Sequence, residues 1–276
     1  RPLNSFLNTK KIYNKFNFKK PKFKNSLNSM IKYYLRKIWK IKKGIILAGG
    51  SGTRLGPITK SISKQLLPVY DKPLIYYPLC TLIEAGVNQI LIITNENNLD
   101  QFVNLLGDGN KFGLQISYEV QNKPNGIAEA FLIGENFIKN DDVILILGDN
   151  IFNGIDFKKI TNISNSSKFD SIIFSYFVDD PERYGVIKFN NNSILKLIEK
   201  PKKFISNYAI TGLYFFDKNV VKIAKKLKPS KRNELEIIDI IKYYYNKKKL
   251  INIPLNTGMA WLDAGTPKSL LQASQL

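Results

Sequence analysis

An apolar segment that runs directly into a glycine-rich turn constrains this chain more than any other feature. Gly44-Ile45-Ile46-Leu47-Ala48 is followed at once by Gly49-Gly50-Ser51-Gly52-Thr53-Arg54. Because glycine has no Cβ, backbone N–H groups in such a turn can approach a ligand closely, and successive N–H groups form a concave anion-binding site. Arg54 adds a positive charge. The pattern therefore predicts a polyphosphate-binding turn at the end of a strand.

This turn matches neither of the two common glycine-rich phosphate motifs. A Walker A loop requires a lysine after its glycines, and none follows here in that register. The dinucleotide fingerprint Gly-x-Gly-x-x-Gly, counted from Gly50, has Leu55 in place of its last glycine. A plain strand-to-loop turn is the alternative for the cluster by itself, and the residues downstream favour the phosphate site.

Apolar, β-branched runs alternate with amphipathic segments along the chain. The runs predict strands at Lys43–Ala48, Gln89–Thr94, Asp142–Leu147, Ser171–Val178, Ala209–Phe216 and Leu250–Pro254. The amphipathic segments predict helices at Leu74–Ala85, Asn98–Leu106, Ile127–Phe137, Asn219–Leu227 and Glu236–Asn246, and Thr161–Ser167 is predicted to be a loop. This alternation is typical of an α/β fold with a Rossmann-like, doubly wound, mainly parallel sheet, helices on both faces and a small appended lobe. Ligands of such sheets bind beyond the carboxyl ends of the strands, so the glycine-rich turn and Gly148-Asp149-Asn150 are expected to meet at one cleft.

Composition excludes several chemistries. The 276 residues are 44% hydrophobic, which is enough for one sizeable core. The chain has no histidine, so histidine acid–base catalysis and Ser–His or Cys–His nucleophiles are excluded. The single cysteine, Cys80, fits a reducing, cytoplasmic location. No segment reaches about 18 uninterrupted apolar residues, so no membrane span is predicted.

Positive charge is concentrated at the N-terminus. Residues 1–43 carry 14 of the 42 Lys and Arg residues and none of the 22 Asp and Glu residues. Four interpretations of the basic extension at residues 1–42 stay open: a targeting peptide, a nucleic-acid-binding arm, a membrane-surface segment, or an upstream reading frame ahead of a start near Met30. Enrichment of Lys, Asn, Ile and Phe throughout the chain favours the last, and nucleic acid is not an expected partner. We expect one domain at residues 43–276.

Six short motifs in one order give the chain a family resemblance. The first runs from the glycine-rich turn through Ser63-Lys64-Gln65-Leu66-Leu67-Pro68-Val69-Tyr70-Asp71-Lys72-Pro73. The others are Leu147-Gly148-Asp149-Asn150, Pro181-Glu182-Arg183-Tyr184-Gly185, Glu199-Lys200-Pro201, Tyr208–Tyr214 and Trp261–Gly265. From about Gly44 to Leu276 the chain resembles the sugar nucleotidyltransferase family, and within it the bacterial glucose-1-phosphate thymidylyltransferases. The resemblance implies a transferase that makes dTDP-glucose and pyrophosphate from dTTP and α-D-glucose 1-phosphate, the first step towards dTDP-rhamnose and related deoxysugars, with the small lobe binding the sugar.

Two aspartates are the predicted metal ligands. Asp149 follows the apolar run Val143–Leu147 and Gly148, and a carboxylate at a strand end suits Mg²⁺, which takes one or two carboxylates plus waters and phosphate oxygens. A turn aspartate that caps a helix is the alternative from this position alone. The resemblance implies that Asp263 shares the ion, which would bridge the nucleotide α-phosphate and the sugar phosphate. Ala264 stands where the family commonly has threonine, so a hydroxyl near the metal is missing.

Four cations are predicted to bind phosphate groups. The resemblance places Arg54 on the triphosphate, Lys64 on the phosphates at the reacting centre, and Lys200 and Arg232 on the phosphate of the sugar. In a chain with 42 Lys and Arg residues most such side chains are at the surface, and only the motifs single these out. The predicted catalytic residues are Arg54, Lys64, Asp149, Lys200 and Asp263.

Base and sugar contacts complete the predicted site. Gln121 ends the strand-like run Leu114–Val120, and its amide can pair with the N3–H and a carbonyl of thymine or uracil. Without the family context, a solvent-facing glutamine is the alternative. The predicted nucleotide-binding residues are Leu47, Gly49, Gly50, Ser51, Gly52, Thr53, Arg54, Gln65, Gln121, Pro124 and Gly126. The resemblance implies sugar-phosphate contacts from Gly185, Glu199, Lys200, Ile210, Tyr214 and Arg232.

Other functions stay open at this point. Thymine and uracil differ by one methyl, which a pocket distinguishes by only about 1–3 kcal/mol, so uridylyl transfer or another sugar 1-phosphate is an alternative. A non-catalytic nucleotide-sugar-binding protein on the same fold is a further one, against which the retention of the charged motif residues argues. The resemblance also implies a homo-oligomer, which in the family is a tetramer. The family usually continues with helices that pack subunits together, and this chain ends at Leu276 inside the first of them, so weakened contacts between subunits are expected.

Overall fold

The computed structural model describes residues 43–50, 52–160, 170–190 and 193–275. The basic extension at residues 1–42, the predicted loop Thr161–Ser167 and Ser51 of the glycine-rich turn lie outside the described residues. Within the described ranges, no helix is long and apolar enough to cross a membrane.

The described part of the chain has an α/β architecture. Its strands are β1 (Lys43–Leu47), β2 (Pro68–Val69), β3 (Lys72–Pro73), β4 (Gln89–Thr94), β5 (Gln115–Val120), β6 (Val143–Leu147), β7 (Asn150–Asn153), β8 (Ser171–Phe177), β9 (Gly185–Asn190), β10 (Ser193–Glu199), β11 (Tyr208–Phe216), β12 (Leu250–Pro254) and β13 (Ala260–Asp263). The helices with both ends among the described residues are α1 (Tyr76–Glu84), α2 (Leu99–Leu106), α3 (Glu129–Ile133), α4 (Glu135–Ile138), α5 (Val220–Ala224), α6 (Ile237–Asn246) and α7 (Pro267–Ala273).

One nine-stranded sheet forms the centre of the molecule. Strands β5, β4, β1 and β6 are neighbours in that order and run parallel. Strand β11 is antiparallel to β6 through Leu213–Phe216 and pairs with β9 through Ala209, while β8 and β12 continue the sheet on its other side. The predicted mainly parallel, doubly wound sheet is confirmed, with β10 and β11 as the strands of this sheet that run against the others.

Alternate residues of β1 explain why the sheet carries helices on both faces. Ile46 packs in a buried cluster with Leu79 of α1 and Phe102 of α2, whereas its neighbour Ile45 packs in a second cluster with Phe131 of α3 and Ile241 of α6. Successive side chains of a strand point to opposite faces, so a continuously apolar strand needs a cover on each side. The central strands read as uninterrupted apolar runs for this reason.

The structure corrects one predicted helix and adds strands that the prediction missed. The helix predicted at Ile127–Phe137 is two shorter helices, α3 and α4, which meet at Gly134. A Cβ at Gly134 would lie 3.0 Å from the carbonyl oxygen of Ala130 and 3.1 Å from Ile45 Cδ1, so the close approach to β1 favours glycine there. The strands that were missed include β7 and β13, which are short and pair with each other, and β9 and β10, which form an antiparallel pair at one edge of the central sheet.

Candidate active site

The glycine-rich turn and the segment after β6 meet at the carboxyl ends of two adjacent parallel strands. Gly148 N donates to Leu47 O at 2.9 Å, which ties the end of β6 to the end of β1. A Cβ at Gly148 would lie 3.1 Å both from Leu47 O and from Gln65 Cγ. The absence of a side chain here therefore brings Asp149 next to the predicted phosphate turn.

The phosphate turn is open at its centre and braced at its end. Gly50 is exposed, and a Cβ added there would meet no atom within 4 Å. Gly52 has a left-handed backbone (φ 61°) at the start of the 3-10 turn Thr53–Leu55, and its carbonyl oxygen accepts a hydrogen bond from Thr59 Oγ1 at 2.8 Å. Arg54 is exposed and lines the adjacent cavity. This geometry leaves backbone and guanidinium donors available to an anion.

Lys64 and Asp149 form a nearly buried ion pair next to the glycine-rich turn. Their side chains are 12% and 13% exposed, and Lys64 Nζ contacts Asp149 Oδ2 directly. Burial alone would raise the pKa of Asp149, but the charge of Lys64 and the hydrogen bonds from Lys64 and Asn150 outweigh it and hold that pKa below its usual range. Asp149 is therefore held as a carboxylate with a cation beside it.

Asn150 connects Asp149 to two other parts of the fold. Its Nδ2 donates to Asp149 Oδ1 at 3.0 Å, and its Oδ1 accepts from Trp261 Nε1 at 2.6 Å and from Gly212 N at 3.1 Å. A Cβ at Gly212 would lie 2.5 Å from Asn150 Oδ1, so this contact requires glycine in β11. Asn150 is 2% exposed, and both the nitrogen and the oxygen of its amide have hydrogen-bond partners, as is usual for buried amides.

Strand pairing brings Asp263 to the same place. In the antiparallel β7–β13 pair Asp263 lies opposite Asn150, and Ala264 N donates to Asp149 O at 2.9 Å. Burial, and then the charge of Asp149, raise the pKa of Asp263 to about 6. Arg183 Nη2 lies 3.5 Å from Asp263 Oδ2, and its Nη1 contacts Asp180 at 2.6 Å. Two carboxylates are thus close enough to repel each other, with Arg183 offsetting part of the charge.

One cavity joins these charges to the predicted sugar residues. Its lining includes Arg54, Asp149, Gly185, Glu199, Lys200, Ile210, Tyr214 and Asp263 from the prediction. Glu199 Oε2 would lie 3.0 Å from a Cβ at Gly185, so the glycine makes room for that carboxylate. Burial, and then the charge of Glu236, raise the pKa of Glu199. Lys200 is exposed at the cavity with its backbone N bonded to Tyr184 O at 3.0 Å.

Arg232 lies within a group of carboxylates instead of on the cavity lining. Its Nε and Nη2 contact Glu236 at 3.0 and 2.9 Å, and Nη2 also contacts Glu234 at 2.7 Å and approaches Glu199 at 4.0 Å. The structure thus places Arg232 next to the predicted sugar residue Glu199, with its Nε and Nη2 bonded to other carboxylates. That it binds the sugar phosphate stays a prediction.

Gln121 is placed against the phosphate turn at the other end of the site. It is 5% exposed, and its Oε1 would lie 2.7 Å from a Cβ at Gly49. Gln65 is also buried and accepts a hydrogen bond from Ser63 Oγ at 2.7 Å. Pro124 is exposed in the loop after Gln121, and Leu47 is half-buried at the end of β1.

Comparison with known proteins identifies the family. The nucleotidyl transferase family model matches residues 43–276. The chain belongs to the nucleotidyl transferase family. It is 52% identical over 233 residues to the glucose-1-phosphate thymidylyltransferase of Neisseria meningitidis. The aligned region covers 84% of this chain and 81% of that protein. It is 51% identical over 237 residues to the same-named protein of Mycolicibacterium smegmatis, covering 84% and 81%. The family resemblance inferred from the motifs is confirmed.

Solved structures agree with the sequence relatives. A Bacillus anthracis structure named for the same activity and bound to sucrose matches with a TM-score of 0.79 at 42% identity, covering 84% of this chain and 94% of that chain. A UDP-glucose pyrophosphorylase bound to UDP-glucose matches with a TM-score of 0.74 at 30% identity, covering 85% and 97%. This nucleotidyl transferase is therefore an enzyme of the class predicted from its motifs.

Several residues of the nucleotidyl transferase site were missed by the sequence prediction. Arg183 and Tyr184 line the cavity, and their motif was noticed, but neither was given a role. Asn150, Gly212 and Trp261 also line the cavity. All three are buried, and Asn150 is hydrogen-bonded to the other two. Besides the predicted Ile210, the aliphatic part of the lining is Ile127, Leu147, Ile237, Ile238 and Ile241. These apolar residues carry no sequence signal beyond that of ordinary core positions.

The loop that follows Gln121 depends on a glycine. Gly126 has φ 105°, and a Cβ there would lie 2.4 Å from Leu235 O and 2.6 Å from Leu235 N. Those same atoms bond to Ala128 N at 3.1 Å and Asn125 O at 2.6 Å. We expect Gly126→Ala to lower the free energy of unfolding by about 2 kcal/mol or more, because it combines backbone strain with a clash against backbone. Urea unfolding at equilibrium measures this loss.

Gly258 supplies a matched control for that measurement. It has φ 90°, but a Cβ there would meet no atom within 4 Å. Gly258→Ala therefore introduces the backbone strain without the clash. It should lower the free energy of unfolding clearly less than Gly126→Ala does. Equal losses in the two variants would contradict the importance of the Gly126–Leu235 contact.

Proposed function

We propose that this protein transfers a thymidylyl group from dTTP to α-D-glucose 1-phosphate, giving dTDP-glucose and pyrophosphate. The observation that carries the proposal is the cavity in which Arg54 and Lys200 face the carboxylates Asp149 and Asp263, beside a phosphate turn that packs against Gln121. Cations, carboxylates and a base-pairing amide are the groups that such a transfer uses. The names of the relatives that are about half identical to this chain support the same activity.

The chemistry suits a site without histidine. An oxygen of the sugar phosphate attacks the α-phosphorus in line, the new P–O bond forms, and the bond to the β-phosphate breaks to release pyrophosphate. The attacking oxygen is already anionic, so no side chain has to remove a proton from it. The protein contributes alignment and positive charge, which are the main requirements of phosphoryl-type transfer. Arg54 would hold the triphosphate, Lys64 the reacting phosphates and Lys200 the sugar phosphate.

The two aspartates suit a divalent cation. Mg²⁺ takes one or two carboxylates and fills its other positions with waters and phosphate oxygens. Asp149 and Asp263 offer such a pair, and the mutual repulsion that helps raise the pKa of Asp263 is what a cation between them would relieve. Within the described residues no group of three or more His, Cys, Asp or Glu side chains is arranged so that it could hold a metal ion, so phosphates would have to complete the site. When bound, the ion would offset negative charge on the phosphates.

Uridylyl transfer is the second candidate activity. The matched UDP-glucose pyrophosphorylase structure, 30% identical to this chain, has the same fold. Uracil presents the same N3–H and O4 groups to Gln121 as thymine does. Between the two bases, contact with the thymine methyl would favour thymine by about 1–3 kcal/mol, and UTP also carries a 2′-hydroxyl that dTTP lacks.

Pyrophosphate release tests the proposal. Purified protein is supplied with Mg²⁺, glucose 1-phosphate or another sugar 1-phosphate, and dTTP, UTP, dCTP or ATP in turn. We expect turnover to be fastest with dTTP and glucose 1-phosphate, and slower with UTP, which lacks the methyl and carries a 2′-hydroxyl. Turnover with no pair, in a folded sample, would exclude the enzymatic assignment and leave nucleotide-sugar binding as the function.

We also propose a homo-oligomer and a cytoplasmic location. Tyr70 and Leu271 are 82% and 64% exposed. Tyr70 directly follows β2, and Leu271 lies on helix α7, which contacts β2. A second copy of this chain could cover that apolar surface. The free, exposed Cys80 suits a reducing compartment. Mass measurement in solution tests the oligomer, and a monomer at micromolar concentration would exclude it.

A further inference from the structure

The amide of Gln121 is hydrogen-bonded at one end only. Its Nε2 donates to Glu129 Oε2 at 2.7 Å and also points towards Gly126 O at 3.4 Å. Its Oε1 lies against the backbone of Gly49, and none of the described residues donates a hydrogen bond to it. The oxygen end of the amide is therefore the end left available for a ligand.

Glu129 is itself held in place. Its Oε1 accepts a hydrogen bond from Asn125 Nδ2 at 2.8 Å, while Oε2 accepts from Gln121. Glu129 is the first residue of helix α3, half-buried, directly after the loop that carries Gly126. A carboxylate accepts hydrogen bonds and does not donate them. It can therefore pair with the NH₂ end of the Gln121 amide but not with the oxygen end.

Orientation matters because an amide reads two bases equally well. With its oxygen facing N3 and its nitrogen facing position 4, glutamine accepts from the N3–H of thymine and donates to O4. Rotated by 180°, the same amide donates to N3 of cytosine and accepts from the 4-amino group. A freely rotating glutamine would thus accept either base. Discrimination requires another group that prevents the rotation.

We propose that Glu129 is the positioning residue that makes the base site select thymine or uracil over cytosine, by holding the Gln121 amide with its oxygen towards the base. The inference rests on the proposed function, which places a pyrimidine at Gln121. Cytosine in this site would set its N3 lone pair against Gln121 Oε1 and its amino group against Nε2. Sites built to hydrogen-bond one polar pattern can reject a mismatched one by about 10⁴-fold.

The test measures base preference in Glu129→Ala and Glu129→Gln. Affinity and kcat/KM are determined for dTTP, dUTP and dCTP with the full chain. We expect the wild type to prefer dTTP over dCTP by about a hundredfold or more, and both variants to lower that preference by about tenfold or more. The ratio of kcat/KM for dTTP to kcat/KM for dUTP should stay within about twofold of the wild-type ratio, because both bases present N3–H and O4. If Glu129 had a purely structural role, its replacement would lower kcat/KM for all three nucleotides by the same factor.

Two controls sharpen the result. Glu135→Gln makes the same change in helix α4, where Glu135 forms an exposed ion pair with Lys225 at 2.5 Å, and it should leave every ratio unchanged. In a Gln121→Ala background, Glu129→Ala should have no further effect on the dTTP-to-dCTP ratio, because the amide that it orients is gone.

The outcomes separate this inference from the proposed function. Turnover of dTTP with an unchanged dTTP-to-dCTP ratio in both Glu129 variants would overturn the inference and leave the function standing. Wild-type protein that accepts dCTP as well as dTTP would also overturn it. Protein that neither binds nor turns over any of the three nucleotides would overturn both.

Discussion

Asp149→Asn is expected to lower kcat by at least about a thousandfold while nucleotide binding stays measurable. The substitution keeps the shape of the side chain and removes its charge, so both the proposed cation and the buried Lys64 lose their partner. A charge pair near 4 Å is worth about 4 kcal/mol at an effective dielectric constant of 20, which corresponds to a rate factor on the order of a thousand. Pyrophosphate release under saturating substrate and Mg²⁺ measures kcat, and equilibrium titration with dTTP measures binding.

Asp71→Asn is the matched control. Asp71 also pairs with a lysine, Lys72, at 2.8 Å, but this pair is at the surface with side chains 62% and 41% exposed. Exposed pairs contribute little, so activity and stability should stay close to wild type. Because breaking a buried pair destabilises a protein, the melting temperature of Asp149→Asn must be recorded beside its activity. Near-normal activity of a folded Asp149→Asn protein would exclude Asp149 from the reacting centre.

Asn150→Ala is expected to lower the free energy of unfolding by about 3 kcal/mol or more. The change removes the acceptor of Trp261 Nε1 and Gly212 N and the donor to Asp149 Oδ1. Each buried polar group left without a partner costs about 1–3 kcal/mol. Urea unfolding at equilibrium measures the loss, and kcat should fall as well, because Asp149 and Trp261 lose the contact that holds them together.

Asn153→Ala separates this network from a general effect of shortening a side chain in β7. Asn153 lies in the same short strand but is exposed. Its replacement should change the free energy of unfolding by no more than about 0.5 kcal/mol. If both variants lost the same stability, the Asn150 network would not be the cause.

The central sheet could be predicted because its signal is local. The segments Ile45–Leu47 in β1, Ile90–Ile93 in β4 and Val143–Leu147 in β6 are uninterrupted apolar runs, since both faces of those strands are covered. Strands β4 and β12 were predicted with the bounds that the structure has. The helix over residues 127–137 was predicted too long, because its apolar periodicity does not reveal how closely Gly134 approaches β1.

The candidate site was only partly accessible from sequence. Asp149 and the glycine-rich turn follow adjacent parallel strands, so their meeting follows from the fold class. Asp263 reaches Asp149 through the β7–β13 pairing, and nothing local to residues 260–263 indicates that register. Glu129 reads in the sequence as an ordinary polar residue at the start of a helix, and only its 2.7 Å contact with Gln121 connects it to the proposed base site.

The sequence by itself determined the family, the succession of the central strands and helices along the chain, and the kinds of charge that the site would contain. These depend on motifs and on local apolar patterns, which are written along the chain. The tertiary structure decided which charges are paired: Lys64 with Asp149, Arg183 with Asp263, and Arg232 with Glu234 and Glu236. It also decided which way the amide of Gln121 points. Pairing and orientation depend on distances between residues far apart in the chain, and only the folded packing sets those distances.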